Sequence, residues 1–258
     1  MEEPLASAVV NGAIGEILLA NGPLNLVTRR LLRDLDSALS MLRRTPGIRC
    51  VIVHARDDAR AFCAGSDIKE FAHLRDNASE EKILFEDRVL RNLAELPVPT
   101  IAAIDAPAMG GGLELALACD LRVLRNGVRI GLTEARLGGL AGNGAVRLAR
   151  LVGPGRAKQM LFTAAIIEAD TALAWGVVNW LAEGSAVEKA REIAAEIAER
   201  GPLSNRYAKQ LVDLAQDQPA DAALSRSTVL QQRIFDSDDL HEGMAAFFAR
   251  RSPSFVGG

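Results

Sequence analysis

Three glycines, Gly110, Gly111 and Gly112, run straight into an apolar segment that holds one carboxylate, Glu114, among Leu113, Leu115, Ala116, Leu117 and Ala118. Glycine has no Cβ, so a ligand can approach its backbone N–H closely. Where a helix begins, the first N–H groups have no internal acceptor and the helix dipole favours negative charge. The stretch can therefore hold a phosphate, or an oxyanion formed during a reaction. Close packing of a helix against a strand would use the same glycines. Glu114 has only Leu and Ala around it and no polar face to join. An unpaired buried charge costs on the order of several kcal/mol, so a cleft-facing carboxylate is the better account of it.

Two further stretches carry the same kind of chemistry. "ARAFCAGSDIKEF", residues 59–71, places the small residues Ala64, Gly65 and Ser66 after a strand-like run. The Ser66 N–H is a second candidate donor, and two donors make a better oxyanion hole than one. The same residues also read as a turn that caps a short helix through Ser66 or Asp67. In "RIGLTEARLGGLAGNGAVRL", residues 129–148, Glu134 follows a strand and precedes a glycine-rich loop. It is either a second catalytic carboxylate or an ordinary surface glutamate.

The rest of the composition narrows the class. The chain has 258 residues, 49% hydrophobic and 24% charged, enough for one large domain or a domain with an appendage. A net charge of −3 disfavours a general nucleic-acid surface. Cys50, Cys63 and Cys119 form no CxxC, and His54, His73 and His241 are scattered, so no metal site is expected. The cysteines read as reduced thiols. The acidic N-terminus lacks a signal-peptide core, and no apolar run has the length of a membrane span. Together these predict a soluble cytoplasmic protein.

The elements that must position these residues alternate in the first half. Short strands are expected at 8–10, 16–20, 50–53, 100–104, 120–124 and 128–131. Helices are expected at 27–42, 80–93 and 112–119, with a loop at 56–67. From residue 145 the pattern turns helical: 145–151, 155–162, 169–175, 185–200, 203–216, 220–235 and 238–250, with one strand-like run at 177–180. Strand–helix units followed by helices predict an α/β core with a helical C-terminal part.

Taken together and in this order, the stretches resemble the enoyl-CoA hydratase/isomerase (crotonase) superfamily. "AFCAGSDI" resembles its A-F-x-A-G-x-D-[IL]. "PTIAAIDAPAMGGGLELALACD" resembles its P-x-[IV]-A-A-[IV]-x-G-x-x-x-G-G-G-x-E-[LI]-x-x-x-C-D, and "IGLTEARLGGLAGNGA" its [FI]-x-x-P-E-x-x-[LI]-G-x-x-P-G-x-G-[GA]. "LVGPGRAKQMLFTAAIIEADTALAWGVVNWL" and "EGMAAFFARRSPSF" extend the likeness over nearly the whole chain.

The resemblance implies a spiral of ββα repeats over residues 1–200 and a helical trimerisation region over 201–258. It implies a homotrimer or dimer of trimers acting on an acyl-CoA thioester in fatty-acid-type metabolism, with coenzyme A as part of the substrate and no separate cofactor. The N–H groups of Ser66 and Gly111 would hold the thioester oxygen. Glu114 and Glu134 would be the hydratase acids, and Gly142 would lie by the catalytic water. Ala64, Asp67, Ile68 and Lys69 would meet the CoA. Arg250 and Arg251 would approach its phosphates, or simply form a solvated helix end.

The chain departs from the pattern at Thr133 and Ala141, where proline is usual, at Asn143, which interrupts a run of small residues, and at Ala106-Pro107. These cluster around the second carboxylate and the acyl pocket. Hydration of a 2-enoyl-CoA is the leading reading. Isomerisation, decarboxylation or hydration of an unusual acyl-CoA is the second. A CoA- or RNA-binding scaffold without turnover is the third, and both acids argue against it. A Rossmann site is excluded because no G-x-G-x-x-G follows the first strand.

Overall fold

A strand that is apolar on both faces must be covered on both. Cys50–Ala55 and Thr100–Ile104 are buried at almost every position, and they form the centre of the larger sheet. In the computed structural model, which describes residues 3–257, the chain begins with β1 (Ala6–Asn11), β2 (Ile14–Leu19), α1 (Arg29–Arg44) and β3 (Cys50–Ala55). Next come α2 (Ile68–Leu74), α3 (Leu84–Ala94), β4 (Thr100–Ile104), β5 (Ala108–Met109), α4 (Gly111–Leu117), β6 (Leu121–Arg125) and β7 (Ile130–Gly131). The remainder is α5 (Gly142–Thr163), β8 (Ile166–Ile167), α6 (Ala169–Trp175), β9 (Trp180–Ala182) and the helices α7 (Ala186–Ala198), α8 (Pro202–Asp217), α9 (Ala220–Phe235) and α10 (Asp238–Ala249).

The larger sheet has the order β1-β2-β3-β4-β6-β9. Only the β1–β2 hairpin is antiparallel; every other pair is parallel. A second sheet, β5-β7-β8, lies alongside, and a bridge from Cys63 to Ala108 extends it. Successive units place their first strand in the large sheet and their second in the small one, then add a helix: β4, β5, α4 and then β6, β7, α5. This is the winding that the ββα reading predicts. Side chains from α1, α3, α4 and α5 fill the main core. Helix α7 covers the other face of the large sheet through Ala186, Val187, Ala190 and Ile193 against Ile52, Ile101 and Val123.

Several boundaries differ from expectation. The helix expected over 80–93 begins as a π-helical turn, Ser79–Ile83, and only then becomes α3. The strand expected at 177–180 is displaced to Trp180–Ala182, and β8 has no counterpart among the expected strands. The two helices expected at 145–151 and 155–162 are the halves of α5. They are broken at Gly153, whose φ of 77° and ψ of 165° are non-helical and which precedes Pro154. The expected capping of a short helix is present, since the Asp67 Oδ1 accepts from the Lys69 N–H at 2.9 Å.

The C-terminal helices are tied back to the core by polar contacts. Lys209 Nζ reaches Asp120 Oδ2 at 2.7 Å. The Arg49 guanidinium donates to the Ala198 carbonyl at 2.7 Å and to the Phe255 carbonyl.

One buried cation fixes the entry to α3. Lys82 is fully buried within the π-helical turn. Its ammonium donates to the Val27 carbonyl at 2.8 Å, pairs with Glu70 Oε2 at 3.0 Å and lies 4.4 Å from the centre of the Phe71 ring. The same Val27 carbonyl accepts from the Asp67 N–H, and the Val27 N–H donates to the Gly65 carbonyl. Lys82 therefore braces the loop that carries Ser66. Lys82→Met takes the ammonium from the Val27 carbonyl and from Glu70, which keeps its Arg29 donors, and is expected to cost about 2 kcal/mol. Urea denaturation followed by circular dichroism checks this through a lowered midpoint at unchanged slope.

Candidate functional site

The site starts from a contact between two backbones. A Cβ at Gly112 would lie 2.0 Å from the Cys63 carbonyl oxygen and 2.6 Å from its carbon, so only glycine lets α4 pack here. The Met109 N–H donates to that carbonyl at 3.0 Å, which joins the two loops. Gly65, at φ 106°, turns its loop so that a Cβ there would lie 3.7 Å from the Gly111 nitrogen. From the other side, a Cβ at Gly111 would lie 3.2 Å from Ser66 Oγ and 3.5 Å from the Ser66 nitrogen. The two N–H groups thus flank one small space, and neither donates to a protein acceptor among the described residues.

Three carboxyl groups lie around this junction, near enough for the charge of one to act on another. Glu114, in the first turn of α4 and 8% exposed, accepts from the Gly144 N–H at 2.7 Å. Burial raises its pKa to about 7; the Gly144 bond opposes this, and the charges of Glu86 and Glu134 add to it. Glu134 opens a 3-10 turn, Glu134–Leu137. Its Oε1 lies 2.9 Å from where a Cβ of Gly110 would be, and its Oε2 is buried without a partner. Desolvation raises its pKa as well, against a hydrogen bond from its own backbone. Arg136 holds this turn by donating to the Ala164 carbonyl at 2.8 Å.

The third carboxyl was not among the expected site residues. Glu86, on α3 and 6% exposed, has its Oε1 3.5 Å from the position of a Gly111 Cβ and its Oε2 buried without a partner. Burial pushes its pKa up to about 7; the Lys82 charge opposes this, and the charges of Glu70 and Glu134 add to it. In the sequence it sits in "LFEDRVL", an acidic first turn of a helix, which by itself is an ordinary solvated pattern. Gly144 was likewise missed. It could have been suspected only as one of several small residues in 138–144.

The remaining expected residues fall into two groups. Ala64 sits in the Ser66 loop, its N–H bonded to the Leu24 carbonyl. Asp67 caps α2, whose first residues, Ile68 and Lys69, are exposed. Gly142 is the first residue of α5, with open space where a Cβ would be. Arg250, in the left-handed region at φ 54°, ends α10, and Arg251 forms a bidentate pair with Glu242 at 2.5 and 2.7 Å. Among the described residues, no hydrogen bond or ion pair joins either arginine to the Ser66 loop.

No group of three or more His, Cys, Asp or Glu is arranged to hold a metal ion among the described residues. The three thiols are buried, each with its pKa pushed up to about 12 by desolvation, and are poor nucleophiles. Among the described residues, no helix is long and apolar enough to cross a membrane.

Comparison with known proteins identifies the family. The model of the enoyl-CoA hydratase/isomerase family matches residues 10–258. The chain belongs to this family. A probable enoyl-CoA hydratase of Bacillus subtilis is 34% identical over 257 residues, covering 97% of this chain and 98% of that one. The mitochondrial methylglutaconyl-CoA hydratase of Mus musculus is 33% identical over 239 residues, covering 90% and 76%. The crystal structure of an enoyl-CoA hydratase from Bacillus anthracis superposes with a TM-score of 0.93 at 32% identity, over 98% of this chain and 100% of that one. The fold is the crotonase fold, with its helical C-terminal region, and the protein is an enzyme of the enoyl-CoA hydratase/isomerase family.

The glycines separate two kinds of damage. Gly112→Ala drives a methyl group into a backbone carbonyl and is expected to destabilise the fold by at least about 3 kcal/mol. Gly111→Ala meets the Ser66 hydroxyl at 3.2 Å and the Ser66 nitrogen and Glu86 Oε1 at 3.5 Å, contacts that small shifts relieve, and is expected to fold. Its methyl group would occupy the space between the two donors and lower turnover of an enoyl-CoA by about 10²–10³. Thermal melts run beside turnover assays distinguish the two.

Proposed function

We propose that the protein is an enoyl-CoA hydratase that adds water across the 2,3 double bond of a trans-2-enoyl-CoA. The observation that carries this is the proximity of two unspent N–H donors, Ser66 and Gly111, to two glutamates of raised pKa, the buried Glu114 and the half-buried Glu134. Relatives named hydratases support it.

In this reading the thioester carbonyl accepts from both N–H groups. As water adds to the β-carbon, charge builds on that oxygen, so the fixed donors stabilise the enolate more than the starting carbonyl. One carboxylate takes a proton from the water as its oxygen bonds to the β-carbon. The other, protonated, delivers a proton to the α-carbon. The water's hydroxyl and one hydrogen are thus accounted for, and the glutamate pair exchanges one proton per turnover. Two acids in one apolar cleft titrate as a pair, so apparent pKa values belong to both. The Gly144 N–H stabilises an ionised Glu114, and Gly142 lies at the mouth of the same loop, where a water can be held.

The CoA part would lie along the Ser66 loop, with Ala64, Asp67, Ile68 and Lys69 lining its path. Arg250 and Arg251 would reach its phosphates from a neighbouring subunit. Phe247 and Phe248 on α10 are 79% and 81% exposed, and Phe235 and Phe162 are also exposed, which suits self-association as a homotrimer or dimer of trimers. Sedimentation equilibrium is expected to give three or six times the 27.6 kDa chain mass. A monomer would remove the arginines from this CoA site.

Loss of the conjugated-thioester absorbance of crotonyl-CoA tests the reaction. Wild type is expected to turn over, with Glu114→Gln and Glu134→Gln each slower by about 10²–10⁴. Because one acid must be ionised and the other protonated, kcat/KM is expected to be bell-shaped in pH. No turnover with tight binding of the thioester would exclude simple hydration and favour another reaction of the family.

A further inference from the structure

Glu86 has no part in the two-acid scheme, yet it occupies the most demanding position in the cleft. Its carboxyl is buried and its Oε2 makes no hydrogen bond. Its Oε1 borders the same point that Ser66 Oγ and the Ser66 nitrogen border, 3.5 Å from where a Gly111 Cβ would stand. A carboxylate here would face the oxygen that becomes negative during reaction. A neutral carboxylic acid would instead present an O–H donor to it. We propose that Glu86 acts as a carboxylic acid and donates a third hydrogen bond to the thioester oxygen beside the Ser66 and Gly111 amides. The proton stays on Glu86 throughout, so no bond is made or broken there.

The surroundings favour the neutral form. Glu70 on α2, Glu134 and Glu114 all oppose a negative charge at Glu86, and the Cys63 thiol adjoins it. Lys82 is the cation that acts on it among the described residues, and its ammonium is already engaged by Glu70 and the Val27 carbonyl. Burial raises the Glu86 pKa to about 7, so the acid form is available near neutrality. Bringing in the thioester displaces more water and places a developing negative charge beside it, which favours the protonated form further. The π-helical turn at Ser79–Ile83 lies immediately upstream, where such turns often aim a side chain into a site.

This role rests on the enoyl-thioester reading above, and the test separates the two. An aryl-enoyl CoA thioester, whose absorption moves to the red when its carbonyl is hydrogen-bonded, is titrated into wild type, Glu86→Gln and Glu86→Leu. Crotonyl-CoA kinetics are measured in parallel from pH 6 to 9. Leucine removes the donor and is expected to shrink the red shift and lower kcat by about 10²-fold with little change in KM. Glutamine keeps an N–H donor and cannot ionise. It is expected to lose less than about tenfold, and its red shift is expected to hold at high pH where that of wild type fades. Glu86→Gln alone carries the result if the leucine variant fails to fold. A leucine variant with wild-type shift and kcat, or a glutamine variant whose shift fades with pH as in wild type, overturns the role of Glu86 alone. A wild type that binds the probe with no shift overturns both this role and the oxyanion reading.

Discussion

The contact between Gly112 and the Cys63 carbonyl governs the rest of the site. At 2.0 Å from a would-be Cβ, it is an approach that no side chain permits. It presses the start of α4 against the loop after β3, and the Met109 N–H locks the two together through the same carbonyl. The candidate site is built on that closure. The Ser66 and Gly111 amides face one space because their chains are in backbone contact. Glu114 lies one turn into α4, where its carboxylate accepts from the Gly144 N–H.

Around this junction the structure keeps polar groups unspent where chemistry needs them and satisfied where stability needs them. Lys82 and Glu70 are buried or half-buried, but they partner each other, and Lys82 also braces the Val27 carbonyl. Arg122 is buried, yet it donates to the carbonyls of Val177 and Cys119, each at 2.7 Å. Glu86 and Glu134 each leave a buried oxygen unpaired. Such atoms carry a desolvation cost and mark where a water or a ligand group would bind. The division separates framework from site more sharply than burial alone does.

Much of this was legible in the sequence. β4, 100–104, is bounded by Pro99 and Asp105, and α1 follows a threonine that caps it, so local signals fix both. The glycine run and Glu114 stand out because a lone acid in an all-apolar helix has no surface role. The break in α5 is visible as Gly153-Pro154. The position of Glu86 was not legible. An acid in the first turn of a helix is the commonest arrangement there is, and which way it points depends on the turn before it. Gly144 was hidden for a related reason: several glycines lie within seven residues, and only the path of α5 selects the one that meets Glu114.

The π-helical turn has a consequence for how this site can vary. A turn that holds one more residue than an α-helical turn rotates everything downstream by about 100°. Its presence at Ser79–Ile83 therefore decides which residue of α3 looks toward Gly111. Losing a single residue there would leave the helix, its apolar contacts and its length almost intact. It would, however, hand the inward position to the next residue, Asp87, whose carboxylate is already tied to Arg91 and Asn143. The cleft would thus exchange an unpaired acid for one that is a methylene shorter and already paired, by a change of register with no substitution among the residues that line it.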